Sequence, residues 1–525
     1  MINFLKKHIN SLLAPILLVY YLLLAWVIHR TGYEHSENVF IAEKLKVLIE
    51  NPESTLHVLG TTYPSLVFLS SLMFAPFGYL YAPVLASITL TTILFYVLLN
   101  DFKASKQLPA YLYIPVLVML FVFHPGLMYA AVSGRGVAAV LLCFYLLFRC
   151  LFKYYKTQST FYLSTASICL CCLVFCNYNF IWLLLAFFPF VVLVSLSGLK
   201  IDKGLATVLQ YYEAINNRSQ RRKLVNRTVA IYVVLFLMPF ATLSLFKILN
   251  KFHAGDATYF LTSQYANWHV VGDIPIGTII SKGWANDVVE QSQIVFQFYL
   301  LAFNPLLILT FLFYRGRAYE LFTFLAPFLL ITVLLINIRT YFTIEYYLIF
   351  LLLGLIGIST ELKRKVNIKV MWFIVFIVTL LNIGTGLYYF KQTKDREELA
   401  FFASLRNYKS WSKGKRTTEE SKIAAYISSV CDKNNRVLID DAAAFQVIAH
   451  MTSLDWAILS QNQNFLTVVE NPAIAAKYIC IAKDNNDLKN FTVLNEYNLQ
   501  RMITRGRLSM QLAFQSEHWA VYRIE

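Results

Sequence analysis

The chain has 525 residues, 58% of them hydrophobic and 14% charged, with a mean hydropathy of +0.55. Soluble globular proteins hold about 45–50% apolar and about 25% charged residues, so this composition excludes an ordinary cytosolic enzyme and excludes disorder. Lys and Arg number 46 against 30 Asp and Glu, a net charge of +16, and only its placement tells nucleic-acid binding from membrane orientation.

In chain order, apolar runs occupy 11–29, 82–100, 109–127, 136–152, 161–176, 179–199, 228–248, 293–313, 320–337, 343–359 and 370–390. About 20 helical residues cross the roughly 30 Å of hydrocarbon, so the pattern predicts a polytopic α-helical membrane protein with about eleven transmembrane helices, some of them short. The first run has no small-residue cleavage site behind it and reads as a retained signal anchor. A twelfth run, Tyr63 to Tyr81, is bracketed by Pro64, Pro76 and Gly78 and is expected to lie along the outer leaflet as an interfacial helix.

The charges follow this count. With the amino terminus in the cytoplasm, the inner loops 1–10, 101–108, 149–160, 200–227, 314–320 and 360–369 carry 20 Lys and Arg, against eight on the opposite side. A crossing at 63–81 would invert that phase from Lys103 onward. The excess of positive charge is therefore an orientation signal, and no nucleic-acid partner is expected. It places the amino terminus in the cytoplasm and the carboxyl tail on the outer face of the membrane, periplasmic or extracellular.

The chain divides into a membrane part, 1–390, with outer loops 30–81 and 249–292, and an outer tail, 391–525. In the tail, "NNRVLID", "WAIL", "KYICIAK" and "WAVYRI" read as strands, while "TTEESKIAAYISSV" and "AAAFQVIAH" have a helical period. This predicts a soluble α/β domain attached through "KQTKDREELA". Six of the eight cysteines sit in or beside apolar helices, where "CLCC" at 169–172 is helix packing; Cys431 and Cys480 are candidates for a disulfide.

The hydrophobic segments are almost free of charge, unlike those of a transporter or flippase. Polar residues gather instead at the outer helix ends. Glu34, His35 and Glu37 follow the first helix; the two carboxylates share a face if the segment is helical, and near a membrane such a group serves as a general base or binds a cation. In "FHPGLMYAAVSGRGVAA", Arg135 stands between two glycines, with His124 and Tyr129 upstream; it either snorkels to headgroups or clamps a phosphate. Arg339 and Glu345 lie at the outer ends of a later pair. The loop 249–292 adds His253, Asp256, His269 and several Trp and Asp, a mixture suited to sugar rings and hydroxyls.

The acidic segment "GYEHSENV" behind the first helix, the "YPSL" element at 63–66 that includes Tyr63, the outer-leaflet run and the outer tail together resemble the membrane glycosyltransferases that use polyprenyl-phosphate sugars. That group includes the protein O-mannosyltransferases and the aminoarabinose transferase of lipid A. "GRG" at 134–136 and a tail reading "VLIDDAAAF" and "WAVYRI" resemble a set of poorly characterised bacterial relatives. The resemblance implies a lipid-linked sugar donor, an envelope acceptor (glycan, lipid or protein) and Glu34 as the acidic catalytic position, with Glu37 the competing candidate. The two outer arginines, Arg135 and Arg339, suit the phosphate of such a donor; a divalent cation, Mg or Mn, is an optional accessory with Glu34 and Glu37 as candidate ligands, and the resemblance implies a bacterial inner (plasma) membrane. The familiar aspartate is a glutamate here, one methylene or about 1.5 Å longer. A noncatalytic subunit of an envelope-assembly complex, docked through its tail to a membrane partner, is the alternative.

Overall fold

The computed structural model describes residues 2–51, 54–104, 110–199, 207–267, 298–314, 318–336, 343–360, 368–393, 395–407, 418–506 and 509–525. Helix α1 (Ile2–Arg30) ends in His29 and Arg30, and a turn through Gly32, at φ 87°, redirects the chain into α2 (Ser36–Glu50). Helices α3 (Thr55–Thr61) and α4 (Ser65–Leu72) and a 3₁₀ turn at Ala75–Phe77 follow. Eight residues rise only about 12 Å, so α4 is too short to cross a bilayer.

The membrane body continues with α5 (Ala82–Ala104), α6 (Ala110–Phe123), α7 (Pro125–Val132), α8 (Val137–Thr157), α9 (Thr160–Cys176), α10 (Leu183–Ala186) and α11 (Phe188–Ser197). Next come α12 (Thr207–Asn216), the 37-residue α13 (Arg218–Ala254), α14 (Tyr259–Thr262), α15 (Pro305–Phe313), α16 (Ala318–Ile336), α17 (Ile344–Thr360) and α18 (Ile368–Gln392). Among the described residues, five helical segments are long and apolar enough to span: Ser11–Arg30, Ala82–Ala104, Val137–Thr157, Arg218–Ala254 and Lys369–Gln392. Counting as one span each the pairs α6/α7, bent by 64°, and Tyr178–Ala186 with α11, bent by 46°, gives seven. Thr160–Cys176, Tyr319–Leu334 and Ile344–Ser359 are apolar but shorter. The chain is thus a polytopic membrane protein; five to seven of the eleven expected crossings meet the length requirement.

The bend in α6/α7 has a local cause. Pro125 follows His124, whose Nδ1 accepts from the Gly126 N–H at 3.2 Å and so caps the second half-helix. Helix α8, buried along most of its length, packs against α5, α9 and α17. At the ends of α5 and α8, Arg149 Nε lies 2.5 Å from Asp101 Oδ2, which also accepts from the Tyr145 hydroxyl at 2.7 Å.

The tail begins with α19 (Arg396–Arg406) and α20 (Glu419–Val430). Thr418 caps α20 by accepting from the Ser421 N–H at 3.2 Å. A five-stranded mixed sheet of order β2-β1-β3-β5-β4 follows, built from β1 (Val437–Leu438), β2 (Ala457–Ile458), β3 (Tyr478–Ala482), β4 (Met510–Gln515) and β5 (Trp519–Ile524). β1 runs parallel to both neighbours, with α21 (Asp441–His450) as its crossover to β2, whereas β5 runs antiparallel to β3 and β4. The four runs read as strands all pair, and β4, half-exposed and irregular in register at Leu512/Phe514, is the strand their pattern omitted. Cys431 and Cys480 are both buried free thiols.

Candidate functional site

The turn after α1 sets the site. His35 is the N-cap of α2, its Nδ1 accepting from the Glu37 N–H at 3.0 Å, so the helix begins at Ser36 and carries Glu37 in its first turn. Glu34 precedes the helix. The two carboxylates therefore do not share a helical face. Glu34 Oε2 lies 2.9 Å from His450 Nε2 in the tail and its Oε1 4.0 Å from His29, whereas Glu37 turns into the membrane body. Glu34 and Glu37 are thus engaged by different partners.

Glu37 meets the Gly134-Arg135-Gly136 turn. Arg135 Nε is 3.2 Å from Glu37 Oε2, and the Gly136 N–H donates to Glu37 Oε1 at 3.3 Å. Both glycines allow this approach. Gly134 has φ +73°, and a Cβ there would sit 2.6 Å from Asn38 Oδ1; at Gly136 it would meet Val67 at 2.7 Å. Arg135 is only 7% exposed and Glu37 5%, so the arginine is a buried partner of a carboxylate and does not snorkel to headgroups.

Further polar groups converge here. Glu345, in the first turn of α17, lies within electrostatic reach of both Arg135 and Glu37 and accepts from Asn177 Nδ2 at 3.0 Å. Tyr129 faces Arg135, and its ring meets His35 edge-on at 6.0 Å between centroids. The Tyr33 hydroxyl and His35 Nε2 are buried with no hydrogen-bond partner among the described residues. Burial raises the Glu37 carboxyl above its ordinary range, opposed by Arg135 and by the Gly136 N–H; burial and Arg135 together push His35 well below, so its imidazole is neutral.

Two glutamates that the sequence reading passed over as a linker hold this arrangement. Asp395 caps α19, accepting from the N–H groups of Glu397 and Glu398 at 2.8 and 3.1 Å. Glu397 accepts from the Ser36 N–H at 3.2 Å and from its hydroxyl, at the start of α2. Glu398 accepts from the Ile344 N–H at 2.8 Å, at the start of α17, and from Tyr389 and Thr393 at 2.7 and 2.5 Å. Consecutive residues of one helix thus fasten the N-termini of the two helices whose first turns carry Glu37 and Glu345. The Asp followed by paired Glu was a readable cap signal.

The other expected residues lie apart. His124 is wholly buried and stacks on Tyr347 at 5.6 Å. Tyr63 donates to the Val174 carbonyl at 2.6 Å and packs against Phe246 and Phe260. The His253 carbonyl accepts from His57 at 3.2 Å, while Asp256 closes its own turn by accepting from Thr258 and Thr262. Arg339 and His269 lie outside the described residues. Among the described residues, Glu419, Glu517 and His518 are the one such group close enough to share an ion; His518 Nδ1 lies 2.7 Å from Glu419 Oε2, and the pair joins α20 to the β4–β5 turn.

Helix α2 also docks the tail. Lys44 Nζ lies 3.1 Å from Glu43 Oε2 and 2.7 Å from Asp441 Oδ2, all three buried. Lys46 donates to the carbonyls of Met451 and Ile448, and Glu50 accepts from the Leu454 N–H at 3.0 Å.

No protein-family model matches the chain, and no curated protein matches it. Among solved structures, it is similar to ArnT from Cupriavidus metallidurans bound to undecaprenyl phosphate, with a TM-score of 0.47, 10% identity and 97% of each chain covered. The apo state of the same protein gives a TM-score of 0.45 and 11% identity over 97% of each chain.

Proposed function

We propose that the protein is an integral membrane glycosyltransferase that moves a sugar from a polyprenyl-phosphate donor to an envelope acceptor at the outer face of the membrane. The observation that carries this reading is the buried Glu37–Arg135 pair, flanked by Glu345 and by the unpartnered Tyr33 hydroxyl and His35 nitrogen. Buried polar atoms without partners cost about 1–3 kcal/mol each, and such a cost is retained where a ligand completes the set.

In the proposed reaction the acceptor hydroxyl oxygen attacks the anomeric carbon as the bond from that carbon to the phosphate oxygen breaks. Polyprenyl phosphate leaves with the bonding pair, Arg135 offsets its charge, and the hydroxyl proton passes to Glu37. The pairing of these two residues links the steps. When Arg135 turns to the donor phosphate, Glu37 loses its cation, its proton affinity rises, and it becomes a stronger base when the donor is in place. Glu34, bridged to His450, acts in this reading by holding the tail.

The test is binding of polyprenyl phosphate to the full chain in nanodiscs, followed by native mass spectrometry. Replacing Arg135 with Met is expected to weaken binding by at least about tenfold, the worth of one charge-assisted hydrogen bond. Equal binding by both proteins overturns the reading of Arg135 as the phosphate contact.

A further inference from the structure

Helix α13 has 37 residues and is about 55 Å long, well beyond the roughly 30 Å of hydrocarbon it has to cross. Its C-terminal end lies on the tail side. There Asn250 donates to the Gly60 carbonyl at 3.0 Å, and Tyr259, just beyond, shares a narrow cleft with Gln461 of the tail. The apolar run of this helix covers 228–248, so Arg218–Arg227 project beyond it on the opposite face of the membrane.

Exposed side chains trace this end from hydrocarbon to water. Val225, Val229, Val233 and Leu237 recur every four residues, all exposed, and form a lipid-facing row along α13. Arg221 continues that row one turn earlier. Arg218 and Arg222 stand beside it at helical spacing, Lys223 follows, and all four are exposed. Glu213 is the single acid in 207–227. Arg227 is engaged within the protein: it donates to the Gly198 carbonyl at 3.3 Å and to Gln158, tying α13 to the ends of α11 and α8. Helix α12 lies against this basic end. One of its faces is held by the body, where Ala214 packs with Leu224 and Leu196 and Gln210 accepts from the Tyr319 hydroxyl at 3.4 Å. On the other face Leu209, Tyr212 and Ile215 recur every three residues with Tyr211 beside them; Leu209 is 53% and Tyr212 67% exposed.

We propose that α12 and the first turns of α13 form a binding surface for anionic phospholipids, on the membrane face away from the tail domain. Leu209, Tyr211, Tyr212 and Ile215 enter the boundary between headgroups and acyl chains, while Arg218, Arg221, Arg222 and Lys223 meet the lipid phosphates. Two observations name the occupant. The four bases against one acid select an anionic headgroup over a zwitterionic one. The unbroken exposed row from Leu237 to Arg221 runs out of the hydrocarbon at this point, so what lies against it is lipid. The surface stands on its own and does not rest on the glycosyltransferase reading.

Native mass spectrometry of the full chain in detergent micelles tests this, with dioleoyl phosphatidylglycerol and dioleoyl phosphatidylcholine titrated side by side. The wild type is expected to bind phosphatidylglycerol at least about threefold more tightly, and to lose that preference at high salt. Changing Arg218, Arg221, Arg222 and Lys223 together to Gln is expected to weaken phosphatidylglycerol binding about tenfold or more and to leave phosphatidylcholine unchanged. Leu209→Gln with Tyr212→Gln is expected to weaken it about threefold or more. A control variant with Arg406, Lys422, Lys433 and Arg501 of the tail, all exposed, changed to Gln removes as much charge and is expected to bind as the wild type does. All the changed side chains are exposed, and each variant is checked for wild-type thermal unfolding. No preference for phosphatidylglycerol, binding unchanged in either α12–α13 variant, or an equal loss in the tail control overturns the proposal. Displacement of the lipid by a short single-stranded RNA also overturns it, because the basic cluster would then be a nucleic-acid surface.

Discussion

Arg135 and Glu37 are 98 residues apart in sequence, yet Arg135 Nε and Glu37 Oε2 lie 3.2 Å apart with both side chains nearly sealed from solvent. Removing one member of such a pair leaves a buried charge without a partner, while removing both leaves none. Arg135→Met is therefore expected to lower thermal stability, and Glu37→Gln combined with Arg135→Met to recover part of that loss without restoring transfer. Unfolding midpoints of the single and double variants check this. Additive losses would mean the pair is not coupled.

The pH dependence of transfer follows from the state of Glu37. Burial raises its carboxyl above the ordinary value, and a general base acts only when deprotonated. The apparent kcat/KM is expected to rise with pH through that raised value and then level off. Glu37→Asp keeps an ionising group and so keeps a rising limb at a lower rate, whereas Glu37→Gln loses the limb. A pH-rate series on the three proteins reads this directly.

Stability has a separate pH signature in the docking of the tail. Burial pushes Glu43 up to about 8 from its ordinary 4.5, against the pull of Lys44. Between those values the folded protein keeps a proton that the unfolded chain has released. The Glu43 contribution to stability is therefore fully present below the unfolded value and is lost as pH rises through about 8. The difference in unfolding temperature between wild type and Glu43→Gln is expected to change over that window and to be flat outside it.

Lys44 gives a sharper test of the same interface. With Asp441→Asn, Glu43 can ionise and take over as counterion, so the loss is expected to be modest. With Glu43→Gln added, the buried ammonium has no carboxylate, and the double variant is expected to lose more than the sum of the singles, with a cost on the order of 3–5 kcal/mol. Limited proteolysis of the tail, compared across the four proteins, reports the undocking.

Glu398 anchors α17 through Ile344 and the end of α18 through Tyr389 and Thr393, and burial with Asp395 pushes its carboxyl up to about 7. Glu398→Ala removes the acceptor of the buried Ile344 N–H, of the Tyr389 hydroxyl and of the part-buried Thr393 hydroxyl, and is expected to lower the unfolding midpoint. Glu398→Gln keeps acceptor capacity and is expected to lose less.

Hydropathy and charge phase made the membrane body legible, because a bilayer demands long apolar helices and an orientation signal. Alternation exposed four tail strands for a similar reason. Arg135 stood out as the lone base between two glycines, and Glu37 as an acid near the first helix. Their mutual contact was not readable, because it depends on where α2 starts; His35 as N-cap sets that start at Ser36 and sends Glu34 and Glu37 to different partners. Glu397 and Glu398 were missed because a charged stretch after the last apolar helix looks the same whether it is a solvated linker or a pair of buried anchors. The neutral glue of the membrane helices is equally silent in sequence: Asn382 Oδ1 accepts from the Leu306 N–H at 3.1 Å, a contact that no periodicity announces.

The most direct test of the account is transfer of radiolabelled sugar from membrane polyprenyl-phosphate donors to envelope acceptors, comparing wild type with Glu37→Gln and Glu34→Gln. Loss of at least about 100-fold in Glu37→Gln, with polyprenyl-phosphate binding retained and a loss of less than about tenfold in Glu34→Gln, is the predicted result. Transfer at the wild-type rate by Glu37→Gln, or a loss confined to Glu34→Gln, would contradict it.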